Sequence, residues 1–246
     1  MRVFLLDSSY KGDRLYLLKS KEKQYLNKVL RLEVGIVFTA KDRNEQYYDA
    51  RLIDPSTLSL ERTENIEENL LDNLSGYKGP FADITMFISI LKGKKNELVA
   101  KALTEIGVKR IVFVQSQYVQ EKDFSSHQRE RLEAIVREAV QQSGANTPTL
   151  TGPVTFSEAI EQISPKAFIL HQSPLGETKS LREASLSLSL EDGISCFIGP
   201  EGGFSDEECA LAIEKGIIPM LLNTNILRAE TAAIYTASAL QVLLQG

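Results

Sequence analysis

After Pro80 the sequence alternates between short apolar runs and amphipathic segments, and this alternation is the feature that most constrains the fold. The apolar runs are typical of strands, and the shortest match those of a parallel sheet that is buried on both faces. They are DITMFISIL (83–91), IVFVQ (111–115), KAFILH (166–171), ISCFIG (194–199) and PMLLN (219–223). Strands that alternate with helices predict an α/β layered domain over residues 81–246.

The segments between these runs predict helices. NELVAKALTEIG (96–107) begins at an asparagine and ends at a glycine, two residues that favour helix ends. The segment 125–144 repeats apolar residues at helical spacing between a serine and a glycine. Two more predicted helices, 205–216 and 229–245, follow the last two predicted strands.

The first 60 residues predict a second, smaller domain. They hold five short runs with strand propensity, separated by turn residues, and one helical segment over 20–32. We interpret this pattern as a small β-barrel. The polar, acidic and turn-rich stretch 62–80 indicates a linker, so the predicted domains are 1–72 and 73–246.

Charge is distributed unevenly along the chain. The net charge of −5 does not by itself suggest a nucleic-acid partner, yet residues 1–43 carry ten Lys and Arg against five acidic residues. A solvated polar face explains such a stretch at least as well as an RNA-binding surface does. Tyrosines near the basic residues are consistent with RNA, because phosphates bind to positive charge and bases stack on aromatic rings.

The sequence disfavours several classes of protein. The N-terminal apolar run is only four residues long, too short for a signal peptide or a membrane span, so we expect a cytoplasmic protein. Cys196 and Cys209 lack CxxC spacing and the chain has only two histidines, which argues against a disulfide framework and a zinc site. We expect two buried, thiol-form cysteines, no metal and no membrane partner.

The stretch IGPEGGFSDEE (198–208) predicts a strand, a glycine turn and the start of a helix. Such a turn commonly binds phosphate, but this pattern matches neither GxGxxG nor GxxxxGK[ST], and no lysine follows the glycines. Ser205 and Glu208 form a predicted capping box, and Asp206 and Glu207 add negative charge to the first turn. A neutral or cationic ligand therefore fits this loop better than an anion.

Two further predicted strands end in loops of the same kind. LLNTNILRAETAA (221–233) runs from a strand end into a helix, and ILHQSP (169–174) leaves another strand. A tight turn with no ligand is the alternative for each loop taken alone. Because ligands of α/β folds bind at the edge where parallel strands present their carboxyl ends, the three loops together predict a shared site.

The motifs IGPEGGFSDEE and NILRAETAA, with KALTEIGV and REAVQQSG upstream, resemble those of the RsmE-type family of SPOUT methyltransferases. The resemblance covers nearly the whole chain and implies an α/β protein in which a PUA-like RNA-binding barrel precedes a trefoil-knotted SPOUT domain. It implies S-adenosylmethionine as the cofactor, N3 of a uridine in small-subunit (16S) ribosomal RNA as the methylated position, and a homodimer that acts on assembled small subunits. Only the resemblance predicts the knot, because true knots are essentially absent from proteins.

The resemblance also assigns roles to residues. Arg228 would stabilise charge that develops on the uracil ring, and Glu201, Glu230 or solvent would accept the proton from N3. The implied cofactor-binding residues are Leu170, His171, Ile198, Gly199, Gly202, Gly203, Leu222, Asn223, Ile226 and Leu227. For His171 a structural, hydrogen-bonded role is the alternative. We assign Arg2, Arg14, Lys28 and Arg31 to RNA binding, with plain surface charge as the alternative.

The chain departs from the family pattern in the second motif. The segment usually has a glycine after the leucine and an arginine before ILR, where this chain has Asn223 and Asn225. Asparagine is the residue that best replaces glycine at a positive φ. Two other functions stay open: a SPOUT methyltransferase that acts on a base or a ribose 2′-hydroxyl of transfer RNA, and a module that binds RNA without chemistry. A nucleotide-phosphate enzyme is more distant, because of the acidic glycine turn.

Overall fold

The computed structural model of the protein describes residues 3–63 and 81–245. The chain divides into two compact units, which are Met1–Tyr77 with Val140–Gly144, and Lys78–Ala139 with Ala145–Gly246. The predicted linker lies almost entirely outside the described residues. The predicted domain boundary at residue 72 lies there too and stays a prediction.

The first unit is built on a five-stranded sheet. Within residues 3–63 its strands are β1 (Phe4–Leu5), β2 (Leu15–Leu17), β3 (Val37–Lys41), β4 (Tyr47–Asp54) and β5 (Thr57–Arg62), in the order β1-β3-β4-β5-β2. β1 pairs parallel to β3, and the other neighbours are antiparallel. Helix α1 (Ser20–Gln24) continues into a π turn (Tyr25–Val29). The five predicted strands are confirmed, and the predicted helix over 20–32 is confirmed only in part.

Alternating burial accounts for this sheet. Along β4, Tyr48, Ala50 and Leu52 are buried while the residues between them are exposed, which is the pattern of a strand with one face on a core. Phe4 of β1 and Leu26 of the π turn join the same hydrophobic cluster. The apolar face of each strand therefore specifies the register of the sheet, because a slip by one residue would expose that face.

The second unit contains a parallel sheet. Within residues 81–245 the strands are β6 (Asp83–Ser89), β7 (Arg110–Gln115), β8 (Thr149–Thr155), β9 (Lys166–Leu170), β10 (Lys179–Ser180), β11 (Gly193–Ile198) and β12 (Ile218–Leu221). The helices in the same range are α2 (Lys95–Ile106), α3 (Ser126–Ser143), α4 (Phe156–Ile160), α5 (Leu181–Ser185), α6 (Asp206–Glu214) and α7 (Ala229–Leu244). The strand order is β10-β12-β9-β11-β6-β7-β8, and all neighbouring strands are parallel.

The central strands confirm the predicted parallel sheet. β6 and β11 pair along their length and are buried at nearly every position, so neither strand has a polar face. The rings of Phe87 and Phe197 stack across this pair with centroids 4.4 Å apart. The long predicted helices are confirmed as α2, α3, α6 and α7, and Gly107, whose φ is +87°, is the C-cap of α2.

The sequence analysis missed four elements of the second unit, β8, β10, α4 and α5. β8 contains Gly152 and Pro153, which usually interrupt strands, and it tolerates them because it lies at the edge of the sheet. β10 has only two residues, too few for any pattern. α4 and α5 have five residues each and begin at capping boxes, at Thr155 and Ser180. No helix in the described ranges is long and apolar enough to cross a membrane.

Candidate functional site

A cavity of about 480 Å³ opens at the carboxyl ends of β9, β11 and β12. These three strands are direct neighbours in the order β12-β9-β11, and they are parallel. Their loops therefore meet at one edge of the sheet, as predicted for the three motifs. The volume is within the range of about 300 to 1,000 Å³ that is usual for small-molecule sites.

Most of the residues predicted for the site line this cavity. They are Leu170, His171, Ile198, Gly199, Glu201, Gly202, Gly203, Leu222, Ile226, Leu227 and Arg228. Asn223 and Glu230 are not part of the lining. Asn223 is exposed in the loop after β12, and Glu230 is buried in the first turn of α7. The roles assigned to all these residues stay predictions.

The glycine turn after β11 needs its glycines for two different reasons. Gly203 has a φ of +77°, which side chains disfavour, although a β-carbon there would meet no atom within 4 Å. At Gly199 a β-carbon would lie 3.2 Å from the Gly203 carbonyl carbon and 3.3 Å from the Phe204 ring. At Gly202 it would lie 3.2 Å from Cβ of Tyr118. Backbone conformation therefore selects glycine at 203, and close packing selects it at 199 and 202.

The predicted capping box at the start of α6 is confirmed. The Ser205 amide donates to Glu208 Oε2 at 2.9 Å, and the Glu208 amide donates to Ser205 Oγ at 3.2 Å. The second oxygen of the same carboxylate accepts from the Gln117 amide at 2.8 Å. Because Ser205 and Glu208 are buried, these bonds fix the end of the glycine turn against the loop that follows β7.

Lys95 lines the cavity, although the sequence analysis did not identify it. Its Nζ lies 2.6 Å from Glu201 Oε1 and 3.5 Å from Glu230 Oε2. The hydrogen bond to Glu201 raises the pKa of Lys95. Burial acts to raise the pKa of Glu201, but the hydrogen bond and charge of Lys95, together with nearby backbone groups, outweigh burial, so the pKa is lowered. A lysine is therefore present beside the glycines, but two carboxylates pair with it and leave a formal net charge of −1.

The loop that carries Lys95 is fixed by the first turn of α2. The buried Asn96 side chain accepts a hydrogen bond from the Leu91 amide at 2.9 Å and donates one to the Leu91 carbonyl at 2.7 Å. Lys95 follows β6, and β6 lies next to β11 in the sheet. Ligands of α/β folds bind where neighbouring parallel strands present their carboxyl ends, and this rule predicted the other three loops. It would also have predicted the loop after β6 if the strand order had been known.

The side chains of Arg228 and His171 differ in their contacts. Arg228 is the N-cap residue of α7 and is exposed, and its guanidinium forms no hydrogen bond or ion pair with any residue of 3–63 or 81–245. The Nδ1 atom of His171 lies 2.9 Å from the Ser173 carbonyl oxygen and 3.2 Å from the Ser173 amide nitrogen. The imidazole thus contacts its own loop, as a structural role for His171 requires.

The two asparagines that depart from the family pattern do not adopt a glycine-like backbone. Among the described residues other than glycine, a positive φ occurs at Arg31 and Glu45, and neither Asn223 nor Asn225 is one of them. The loop after β12 therefore has a backbone that ordinary residues adopt without strain at both positions.

The residues assigned to RNA binding belong to the first unit. Arg14, Lys28 and Arg31 are exposed, and Arg14 lies 3.6 Å from Glu61 in a pair that is itself exposed. Arg31 has a φ of +53° where the chain leaves the π turn, a position at which glycine is usual. Arg2 lies outside the described residues.

Other candidate sites are weaker. A second cavity of about 460 Å³ opens at the end of β7, but none of the predicted site residues lines it. Over residues 3–63 and 81–245, no group of three or more His, Cys, Asp or Glu could hold a metal ion. Cys196 and Cys209 are free and buried, as predicted, and burial raises the pKa of the Cys196 thiol to about 12.

Comparison with known proteins identifies the family. The model of the RNA methyltransferase domain family matches residues 78–241, about two thirds of the chain. This chain belongs to the RNA methyltransferase family. The matched range of this RNA methyltransferase contains the whole parallel sheet and every loop that lines the cavity.

Individual relatives extend the likeness to the whole RNA methyltransferase chain. A Synechocystis protein named ribosomal RNA small subunit methyltransferase E is 29% identical over 232 residues, 93% of this chain and 73% of that relative. A Legionella pneumophila protein described as a methyltransferase, with bound cofactor SAM, is 26% identical with a TM-score of 0.81, over 98% of this chain and 97% of that one. Ribosomal RNA small subunit methyltransferase E from Neisseria gonorrhoeae, bound to S-adenosyl methionine, is similar in fold at 23% identity, with a TM-score of 0.79 over 99% and 98% of the two chains.

These relatives confirm the resemblance to the RsmE-type family of SPOUT methyltransferases and the fold class that it implied. The five-stranded sheet of this RNA methyltransferase corresponds to the PUA-like barrel, and its parallel sheet to the SPOUT domain. The trefoil knot stays a prediction.

Proposed function

We propose that this RNA methyltransferase uses S-adenosylmethionine to methylate N3 of a uridine in small-subunit (16S) ribosomal RNA. The observation that carries the proposal is the cavity at the edge of β9, β11 and β12, which is lined by residues of both family motifs, 199–203 from the first and 222 with 224–228 from the second. The relatives named as ribosomal RNA small subunit methyltransferase E and the neighbours with bound cofactor support the reaction and the substrate.

The residues around the cavity fit S-adenosylmethionine in size and chemistry. Apolar side chains offer a surface for an adenine ring; they are Leu170, Ile198, Leu222, Ile226 and Leu227. Backbone N–H and C=O groups of the loops would bind the adenine edge. The absence of side chains at Gly199 and Gly202 lets the turn pack closely against Phe204 and Tyr118. The cluster of Lys95, Glu201 and Glu230 carries a formal net charge of −1, which favours a cation beside that cluster, while Arg228 brings the formal charge of these four residues to zero.

Arg228 is the residue to which we assign stabilisation of the transition state. When bound, S-adenosylmethionine supplies an electrophilic methyl group. Uridine N3 must lose its proton before it can react with that group, and negative charge then spreads onto O2 and O4 of the base. The Arg228 guanidinium lines the cavity without a carboxylate partner in the described part of the chain, whereas Lys95 is paired with Glu201 and Glu230. Arg228 can therefore donate to the oxygens where charge develops.

We assign the N3 proton to a carboxylate or to solvent beside it. Glu201 is better placed than Glu230, because the Glu201 side chain is 30% exposed and lines the cavity, while the Glu230 side chain is 11% exposed and does not. The lowered pKa keeps Glu201 ionised at neutral pH and able to accept a hydrogen bond. Positioning of the base and the methyl group in line would be shared by the whole cavity.

We assign RNA binding to the predicted domain 1–72 and methyl transfer to the predicted domain 73–246. Arg14, Lys28 and Arg31 are exposed on the first unit, and such side chains bind phosphates through charge. Arg2 is included because of its place in the basic segment 1–43. Binding through these residues should weaken steeply as salt is added, because counterions compete for the phosphates.

We further propose a homodimer that acts on assembled small subunits in the cytoplasm, where those subunits are made. Large apolar side chains on α2 and α7 support pairing through the second unit: Leu98 is 51% exposed, Tyr235 43% and Val242 70%. Analytical ultracentrifugation of the full chain should report a dimer. A monomer at every concentration tested would contradict this part of the proposal.

The binding experiment is a calorimetric titration of the full chain with S-adenosylmethionine, with ATP and GTP titrated alongside. Saturable binding of one S-adenosylmethionine per chain, and of neither nucleotide, is the expected result. Binding of a nucleotide alone would overturn the proposal and assign the glycine turn to phosphate.

The activity experiment offers methyl-labelled cofactor with small ribosomal subunits that lack the modification, and separately with transfer RNA. We expect transfer to the subunits only, at a uridine N3 located by mass spectrometry. Arg228→Ala should lower the transfer rate by about 100-fold or more, the usual effect of losing one oxyanion donor, and leave cofactor affinity within about threefold. Arg182→Ala, an exposed arginine of α5, is the matched control. Transfer to transfer RNA instead would identify a different substrate class.

A further inference from the structure

We infer that Lys95 is a positioning residue that bridges the glycine turn to α7 and sets the charge that the cofactor meets. The inference rests on the proposed function, since it concerns the sulfonium group of S-adenosylmethionine. None of the motifs of the family resemblance includes Lys95. Its role is to hold two carboxylates in place while cancelling one of their charges.

The bridge connects three separate elements. Lys95 is the first residue of α2, Glu201 belongs to the turn after β11, and Glu230 lies in the first turn of α7. The Lys95 side chain is 29% exposed and that of Glu201 is 30% exposed, so both are largely shielded from water. A hydrogen bond of 2.6 Å between charged groups in such a setting is stronger than an exposed surface pair.

Further contacts hold the bridge on the side of α2. The backbone of Lys92 also lies near the Glu201 carboxylate and helps to lower its pKa. Asn96 makes two hydrogen bonds to the backbone of Leu91, which fixes both ends of the short loop between them. The ordered loop before α2 therefore positions the ammonium group of Lys95 relative to the glycine turn.

Glu230 explains why a cation is needed at this place. Its Oε2 atom is buried and accepts no hydrogen bond from the residues of 3–63 and 81–245. A buried carboxylate without compensation is costly. The N-terminus of α7 supplies part of the compensation, and Lys95 Nζ at 3.5 Å supplies a full positive charge. Without Lys95, two carboxylates would stand beside the cavity with a formal charge of −2.

The charge of the cluster formed by Lys95, Glu201 and Glu230 should affect the cofactor S-adenosylmethionine and its product S-adenosylhomocysteine differently. S-adenosylmethionine carries a positive sulfonium, and S-adenosylhomocysteine carries a neutral thioether in the same framework. Removing the Lys95 charge should therefore favour the sulfonium form relative to the thioether by about threefold to tenfold, the effect of one unit charge several ångströms away in a partly hydrated site. Glu201→Gln should change the ratio in the opposite direction by a similar factor. A purely structural role for Lys95 would weaken both ligands equally.

The test measures the dissociation constants of both ligands for four proteins: the wild-type chain, Lys95→Met, Lys95→Arg and Glu201→Gln. The matched control is Lys101→Met, because Lys101 is on the same helix and its 4.0 Å pair with Glu105 is exposed. We expect the affinity ratio to favour S-adenosylmethionine in Lys95→Met and S-adenosylhomocysteine in Glu201→Gln. It should stay within about twofold of wild type in Lys95→Arg and Lys101→Met, which keep the charge near the cavity unchanged.

Each other outcome has a distinct meaning. If wild type binds neither ligand, the proposed function fails and the inference, which rests on it, fails with it. If wild type binds both and Lys95→Met leaves the ratio unchanged, the role of Lys95 is refuted while the proposed function stands. If Lys95→Met does not fold, as judged by circular dichroism, Glu201→Gln decides, and an unchanged ratio in that variant refutes the inference.

Discussion

Alanine at Gly203 tests whether the glycine turn is selected by backbone conformation. The φ of +77° costs an alanine about 1–2 kcal/mol, and the lower entropy of the unfolded chain returns about 0.4–1 kcal/mol. No atom lies within 4 Å of the new methyl group, so no steric cost is added. Gly203→Ala should therefore destabilise the protein by about 1 kcal/mol, which lowers the melting temperature by about 2–4 °C in a chain of this size.

Alanine at Gly199 tests crowding in the same turn. Here φ is ordinary, but the methyl group would lie 3.2 Å from the Gly203 backbone and 3.3 Å from the Phe204 ring. Phe204 is buried and its ring centroid lies 5.3 Å from that of Phe156, so it has little room to move. Overpacking of this kind costs about 1–3 kcal/mol, and the turn is the part that can shift. We expect Gly199→Ala to weaken S-adenosylmethionine binding by about tenfold or more, since about 1.4 kcal/mol is a factor of ten.

The assays are thermal unfolding and calorimetric titration with S-adenosylmethionine. Gly216→Ala is the matched control, because Gly216 has a φ of +79°, an open β-carbon position and a place outside the cavity lining. It should lose as much stability as Gly203→Ala and bind the cofactor as wild type does. Wild-type stability in Gly203→Ala, or wild-type affinity in Gly199→Ala, would refute the reasoning for that position.

Two predictions concern the first unit. Arg31→Gly and Arg31→Ala should weaken RNA binding equally, because both remove the guanidinium. Only Arg31→Gly should also raise the stability of the protein, by about 0.5–1 kcal/mol, because the φ of +53° strains any residue with a β-carbon. Thermal unfolding and salt-dependent RNA titrations check this, and equal stability of the two variants would contradict it. The hydrogen bonds from Lys19 and Ser9 hold the pKa of Asp7 well below its ordinary value. Asp7 therefore stabilises the folded protein fully when the pH is above that ordinary pKa, and this stabilisation is lost as the pH falls below it. Urea denaturation should therefore show that Asp7→Asn lowers the free energy of unfolding at pH 7, and that its difference from wild type decreases in acid. A difference that does not change with pH would argue against the mechanism.

Local pattern was sufficient for the main elements of the fold. β6 and β11 were predicted from apolar runs because a strand buried on both faces has no solvent-exposed face, and even their polar residues Thr85, Ser89 and Ser195 are buried. The capping box of Ser205 and Glu208 was predicted because its partners are three residues apart and their bonds form within one turn. Such interactions depend on neighbours in the chain, so the sequence displays them directly.

Local pattern failed where tertiary contacts compensate for unfavourable residues. Gly152 and Pro153 argue against a strand, yet β8 exists because it pairs with β7 at the sheet edge. The predicted helix over 20–32 becomes a π turn at Tyr25–Val29, and Arg31 adopts a glycine-like φ after it. Leu26 of that turn is fully buried in the hydrophobic cluster of the first unit, so the chain leaves regular helix geometry where it packs into this core.

By itself the sequence determined the α/β texture, the three loops and most of the residues that line the cavity. Only the tertiary structure decided that Lys95 stands among them, between Glu201 and Glu230. Lys95 and Glu201 are 106 positions apart, and they meet because β6 lies beside β11 in the sheet. The order of strands arises from long-range packing of apolar faces that resemble one another, and no local spacing of residues records which of those faces become neighbours.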